Sequence, residues 1–235
     1  MANYIQKFQN QSAYDAAEHQ YPNTSLVGTD IVFAMTAPVA FGGLTVKYNI
    51  VDPTAEVTLF NGGGGSSTSS SSSESSSESG GGGALPTTMI VDGVSETPIN
   101  TWRFETAGEH IVQYEFENNI INVAFDNIHE ITEIVIGDDI TEIPTLSANG
   151  VFLSCLSLTT VTIGTGITSI GDMAFQSCSS LTSFTVKATT PPTLDNGALS
   201  NTSNNMVIYV PAASIETYKE AGVWSDYALH IQPIA

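Results

Sequence analysis

Basic side chains are nearly missing: 5 Lys and Arg stand against 24 Asp and Glu in 235 residues, a formal net charge of −19. A surface of that sign repels phosphate polymers and anionic headgroups, so neither nucleic acid nor a membrane surface is expected as a partner. Cysteine is almost as scarce. Two thiols, Cys155 and Cys178, cannot build a disulfide framework, and their place in a sequence repeat marks them as small buried side chains. No stretch approaches the roughly 20 apolar residues of a membrane span. The N-terminus, MANYIQKFQNQSAYDAAEHQ, has no apolar core of secretory-signal length, so a cytoplasm is the expected place of synthesis. The histidines His19, His110, His129 and His230 lie in different elements without Cys or carboxylate at ligand spacing, and no serine sits in a nucleophile setting. No catalytic residue, cofactor or metal is expected.

What is present points to β-structure. Charged residues are only 12 % and hydrophobic ones 41 %, and Thr, Ser, Gly and Val abound, so the fold class expected is mainly β with little helix. SAYDAAEHQ (12–20) has an N-cap serine and good helix formers until Tyr21-Pro22, and SLV-GTD-IVFAM (25–35) reads as a tight hairpin. Leu44, Val46, Tyr48 and Ile50 alternate with polar residues, and after a VDPT turn Val57, Leu59 and Phe60 complete an expected second hairpin. MIVDG (89–93), TWRFETAGEH (101–110) and IVQYEF (111–116) supply further strands, with Val112, Tyr114 and Phe116 on one face. Between them lies GGGGSSTSSSSSESSSESGGGG (62–83), which holds no apolar side chain. Strands that look like one set flank it, so it reads as a loop inside one module rather than a linker between two.

From residue 119 the chain repeats itself. ITEIVIGDDITEI (131–143) aligns with LTTVTIGTGITSI (158–170) and LTSFTV (181–186), at offsets of 27 and 23 residues, and Phe152-Leu-Ser-Cys155 matches Phe175-Gln-Ser-Cys178. Phe125 occupies the same place in a degenerate first unit. A unit of this size cannot bury its apolar face alone, so the repeats predict a short stacked solenoid. KATTPPTLDNGALSNTSN lacks AFxxC, which leaves Leu199 for the Phe position. MVIYVPAASIETYKEAGVWSDYALHIQPIA (206–235) reads as a last strand and an amphipathic helix, with Trp224, Tyr227 and Ile231 covering the open end.

These motifs carry three resemblances. LTxVTIxxxITSIGxxAFxxCxSL is similar to BspA-type leucine-rich repeats, with 206–235 resembling the terminator that closes such arrays. The VDG, FETAGEH and VQY segments resemble a small immunoglobulin-like β-module found before such repeats, with 62–83 as an expanded loop. ANYIQKFQNQSAYDAAEHQYPNTSLVGTDIVFAM resembles the N-terminal module of virion structural proteins in Bacteroidales phages, including the crAss-like group. The resemblances imply four segments: a virion-anchoring module (1–42), an Ig-like sandwich (43–118), leucine-rich repeats (119–205) and a cap (206–235). They imply a non-enzymatic head fibre or capsid decoration protein in the virion, docked on a capsid or neighbouring virion protein through 1–42, with host-surface glycan or protein contact beyond. A tail fibre or a bacterial surface adhesin of the leucine-rich-repeat type is the alternative.

Tyr4, Phe8, Tyr14 and Tyr21 are the expected docking residues, since aromatics supply anchor area. Glu133, Thr160 and Ser183 in one row, and Val135, Thr162 and Thr185 in the next, are expected to form an exposed ladder, which serves either as a binding face or as a plain solvated sheet. Asp138-Asp139 invites a cation but fits a solvated turn, and GTGITSIG (164–171) imitates a phosphate loop without its lysine. A homotrimer is the expected assembly for a narrow fibre.

Overall fold

The computed structural model describes residues 4–7, 32–35, 41–61, 85–146 and 150–234. Contacts divide the chain into two units, Met1–Phe41 and Gly42–Ala235. In the first, β1 (Tyr4–Lys7) pairs antiparallel with β2 (Val32–Met35), Tyr4 opposite Met35 and Lys7 opposite Val32. The helix expected at 12–20, the SLV arm of the expected hairpin and the 62–83 stretch lie outside the described residues.

The second unit opens with β3 (Leu44–Ile50), whose burial alternates as its sequence does: Leu44, Val46, Tyr48 and Ile50 are buried, the residues between them partly or fully exposed. Next come β4 (Val57–Thr58), β5 (Thr88–Val91), β6 (Val94–Glu96), β7 (Thr101–Trp102) and β8 (Gly108–Glu115). The expected 44–60 hairpin does not form. Both edges of β3 are taken, one by β8 and the other by β9 (Ile131–Ile136), so β4 pairs instead with β7, Val57 opposite Trp102. The expected strand 101–110 is broken likewise: Thr101 and Trp102 form β7, 103–107 are loop, and Gly108–His110 open β8. A tight turn joins β5 to β6 through Asp92 and Gly93, both at positive φ (49° and 85°), the conformation a two-residue hairpin loop requires.

Each repeat then supplies two strands. The longer ones are β9, β11 (Thr160–Ile163), β13 (Ser183–Val186) and β15 (Val207–Val210); the two-residue returns are β10 (Glu142–Ile143), β12 (Ser169–Ile170) and β14 (Thr193–Leu194). Beyond the expected last strand lies β16 (Ile231–Pro233), parallel to β15. Among the described residues one nine-stranded sheet runs β16-β15-β13-β11-β9-β3-β8-β5-β6, and β10-β12-β14 form a second, parallel sheet. The repeat strands are parallel, whereas β3 joins them antiparallel. The module strands therefore extend the repeat sheet, and among the described residues the module's other ladder is the short β4–β7 pair. Because β3 and β5 both pair with β8, the 62–83 stretch connects parts of one sheet.

One core serves the whole second unit, from Leu44 to Ile231. Its axis is a column of rings in which Phe125 stacks on Phe152 at 5.3 Å and Phe152 on Phe175 at 5.1 Å between centroids. The column continues into the module through Tyr114 and Phe60, at 5.4 and 6.3 Å from Phe125. The backbone ladder shows why the degenerate unit fits. Phe125, Phe152 and Phe175 donate their amides to the carbonyls of Val151, Ala174 and Ala198, so Leu199, next in line, stands in the Phe register and is buried. Two residues past each of these positions the backbone turns left-handed, at Asn127, Ser154, Ser177 and Asn201, residues that tolerate that region better than branched ones. Each thiol bonds the preceding ring residue's carbonyl, Cys155 Sγ to Phe125 O and Cys178 Sγ to Phe152 O, both at 3.1 Å. Gly150 has no room for a side chain, because a Cβ there would collide with the Met173 carbonyl.

The end is closed by a 3-10 turn (Ala212–Ser214), α1 (Ile215–Glu220) and a longer 3-10 segment (Gly222–His230). Trp224 Nε1 donates to Pro192 O at 2.7 Å and Tyr218 OH to Ala188 O at 2.8 Å, satisfying two buried carbonyls of the proline-rich unit. Trp224 and Ile231 are buried and Tyr227 half-buried; Tyr218 does as much of the covering.

Two outcomes follow. Phe152→Ala should cost about 3–5 kcal/mol, since a ring stacked on both sides cannot be replaced by local collapse; urea unfolding measures it. Shortening 62–83 to eight Gly/Ser residues should keep a single calorimetric transition and change stability by about 1 kcal/mol or less, the loop-closure difference.

Candidate functional site

The nine-stranded sheet has the most strands of any sheet among the described residues, and its outward face is the candidate surface. Register fixes its rows. Glu133, Thr160 and Ser183 are partners across β9, β11 and β13, as are Val135, Thr162 and Thr185, and all six are half-buried rather than fully exposed. The structure lengthens both rows beyond the repeats. Glu133 continues to Lys47 and Ile111 on one side and Ser183 to Val207 on the other. The second row runs Gln113, Thr45, Val135, Thr162, Thr185, Tyr209 and Gln232, across seven strands from β8 to β16.

Ionisable groups lie beside the long row: Lys47 and Glu133 in the neighbouring row, and Glu109 and Glu115 on the outward side of β8. Lys47 Nζ and Glu133 Oε2 are paired at 2.7 Å, both about a third exposed, so the pair adds little stability and leaves the face locally neutral. The seven-strand row holds no ionisable group except the Tyr209 phenol.

Threonines at the entry of each strand have a separate task. Thr159 Oγ1 donates to Thr132 O at 3.0 Å and Thr182 Oγ1 to Thr159 O at 3.4 Å, and Thr132 Oγ1 reaches Lys47 O at 3.4 Å. A second ladder, Thr168 to Thr141 O and Thr193 to Thr168 O, ties the short strands. The sequence signal for these ladders was the threonine recurring at matched offsets in each unit.

Other candidates resolve into structural roles. His110, buried, has Nδ1 2.6 Å from Asp92 Oδ2 and Nε2 2.9 Å from Thr106 O, with Phe104 packed over its ring at 4.3 Å. That cluster joins VDG to FETAGEH and holds the β5–β6 turn against β8, where Asp92 Oδ1 also accepts the Ile111 amide. His230 Nδ1 lies 2.8 Å from Met206 O in the cap. Asp138 accepts the Thr165 amide at 2.7 Å, and that bond holds its carboxyl below the ordinary range; GTGITSIG is therefore the repeat's turn, closed on Asp138. Buried Tyr48 donates to Leu59 O at 2.6 Å and lies 3.1 Å from Tyr114 OH, and burial pushes both phenols up. Among the described residues no group of three or more His, Cys, Asp or Glu is placed to hold a metal ion, and no helix is long and apolar enough to cross a membrane. Of the expected docking residues, Tyr4 lies in β1, and Phe8, Tyr14 and Tyr21 fall outside the described residues.

A family model for the BspA type leucine rich repeat region matches residues 107–221, in 6 copies. The chain carries a BspA-type leucine-rich repeat region. Its match begins at the start of β8 and ends just past α1, so module strand and cap helix fall within the leucine-rich repeat span. No curated protein matches the chain.

The thiols give a direct check on this packing. The adjoining Cys178 thiol and burial together push the Cys155 thiol up, and both cysteines are free and buried. A disulfide reagent such as Ellman's should find no reactive thiol in the native chain at neutral pH and two after denaturation.

Proposed function

We propose that this chain is a non-enzymatic adhesion and interaction protein, which presents the outward face of its leucine-rich-repeat sheet to a partner on a surface. The observation that carries the reading is the BspA-type repeat region set in one continuous sheet with registered, half-exposed rows. Parallel repeat strands hold such rows at fixed spacing, which suits recognition of an extended partner rather than chemistry on a small substrate.

The finer parts belong to the same proposal. Residues 43–118 form an Ig-like module that lengthens the face, residues 1–42 attach the chain to its carrier, and a homotrimer multiplies weak contacts. Phage origin and a head-fibre role rest on the N-terminal resemblance alone, and the comparisons lend them no support. Adhesion is therefore the better-supported reading.

Labelled full chain, applied to a panel of bacterial and epithelial cell surfaces and matrix proteins, should bind at least one of them saturably. Thr160→Arg with Thr162→Ala should weaken that binding about tenfold while leaving the melting curve in place. Absence of saturable binding, or binding that the double variant does not change, would remove the adhesion reading.

A further inference from the structure

The repeat coils divide their threonines by use. Among the described residues the entry threonines Thr159 and Thr182 donate to neighbouring backbone, whereas Thr162, Thr185, Tyr209 and Gln232 make no side-chain hydrogen bond to the protein. Hydroxyls and an amide that the fold does not use, aligned at one height across the sheet, form a set of donors and acceptors facing outward.

We propose that this row binds a neutral, extended polysaccharide lying across the strands; the proposal rests on the adhesion reading and names its ligand class. Charge selects the ligand first. The chain carries −19 overall, which opposes acidic glycans, and the row itself offers no cation, Lys47 beside it being paired with Glu133. A cationic partner finds no carboxylate in the row either. Spacing selects next. Neighbouring strands lie about 4.8 Å apart, so β8 to β16 span roughly 29 Å. An extended pyranose polymer advances by about one strand spacing per sugar, so successive units meet successive strands. Tyr209 offers a ring face for the C–H face of a sugar, and Thr162, Thr185 and Gln232 offer hydroxyl and amide groups the fold does not use. Gln113, whose Nε2 donates to Thr45 Oγ1 at 3.4 Å, keeps its amide oxygen and second N–H for a ligand. A peptide partner would need large apolar anchors, of which the row has Val135, or a free strand edge, which in the row is β16 alone, three residues long and blunted by Pro233.

Two of these residues, Thr45 and Gln113, lie on β3 and β8, outside the run of parallel strands from β9 to β16, although β8 falls within the repeat match. A site confined to the parallel strands would ignore them. The test is affinity electrophoresis of the full chain through gels containing mannan, mixed-linkage β-glucan or arabinoxylan, with polygalacturonate and heparin as acidic controls. Retardation by at least one neutral polymer is expected, insensitive to 0.5 M salt and weakened about tenfold by Tyr209→Ala and by Gln113→Ala, both with unchanged melting curves. Retardation only by the acidic polymers, by none, or equally in both variants would overturn the proposal. If cell binding survives in that case and is lost on protease treatment of the cells, the partner is a protein and the adhesion reading stands without the glycan.

Discussion

Everything in the second unit depends on the antiparallel pairing of β3 with β9. β3 is filled on both sides, by β8 through seven paired positions and by β9 through five, with an irregularity between Lys47 and Tyr48. That seam converts a stack of coils and a small β-module into one sheet and one core. A repeat array exposes an unsatisfied strand edge and an open apolar end at each terminus, and here the module closes one while β16 and the cap close the other. Pro233 in β16 blunts the far edge further, since it has no amide to offer a neighbour.

The ring column carries the same continuity through the interior. Phe125, Phe152 and Phe175 stack because the backbone ladder repeats each coil's height, and Tyr114 and Phe60 join the column because β8 and the segment after β4 lie over the first coil. Each buried ring contributes roughly 1.5–3 kcal/mol of burial, and the thiol-to-carbonyl bonds at Cys155 and Cys178 bind successive turns at the same level. Where the third unit loses its Phe, Leu199 stands buried in the same register, and elsewhere in that unit Trp224 and Tyr218 bond the carbonyls of Pro192 and Ala188.

Function then falls to the face that this core does not use. Entry threonines are committed to the backbone, the Lys47–Glu133 pair cancels its own charges, Glu115 stands on the same side of β8 two residues from Gln113, and the row itself is a neutral line on an acidic protein. The long row exists because two different kinds of strand share one register.

The mainly β class, the repeat units, the register of Glu133, Thr160 and Ser183, the Leu199 substitution and the buried thiols were legible in the sequence. Each is set by local period and by offsets between units, which a stack must honour. The failed 44–60 hairpin was not legible, because a strand's own pattern says which face it buries and nothing about which neighbour fills each edge. For the same reason the extension of the face through Thr45 and Gln113 appears only in the fold. Sequence alone determined which side chains point inward; tertiary structure decided, through the β3–β9 pairing, how many of the outward ones stand in line.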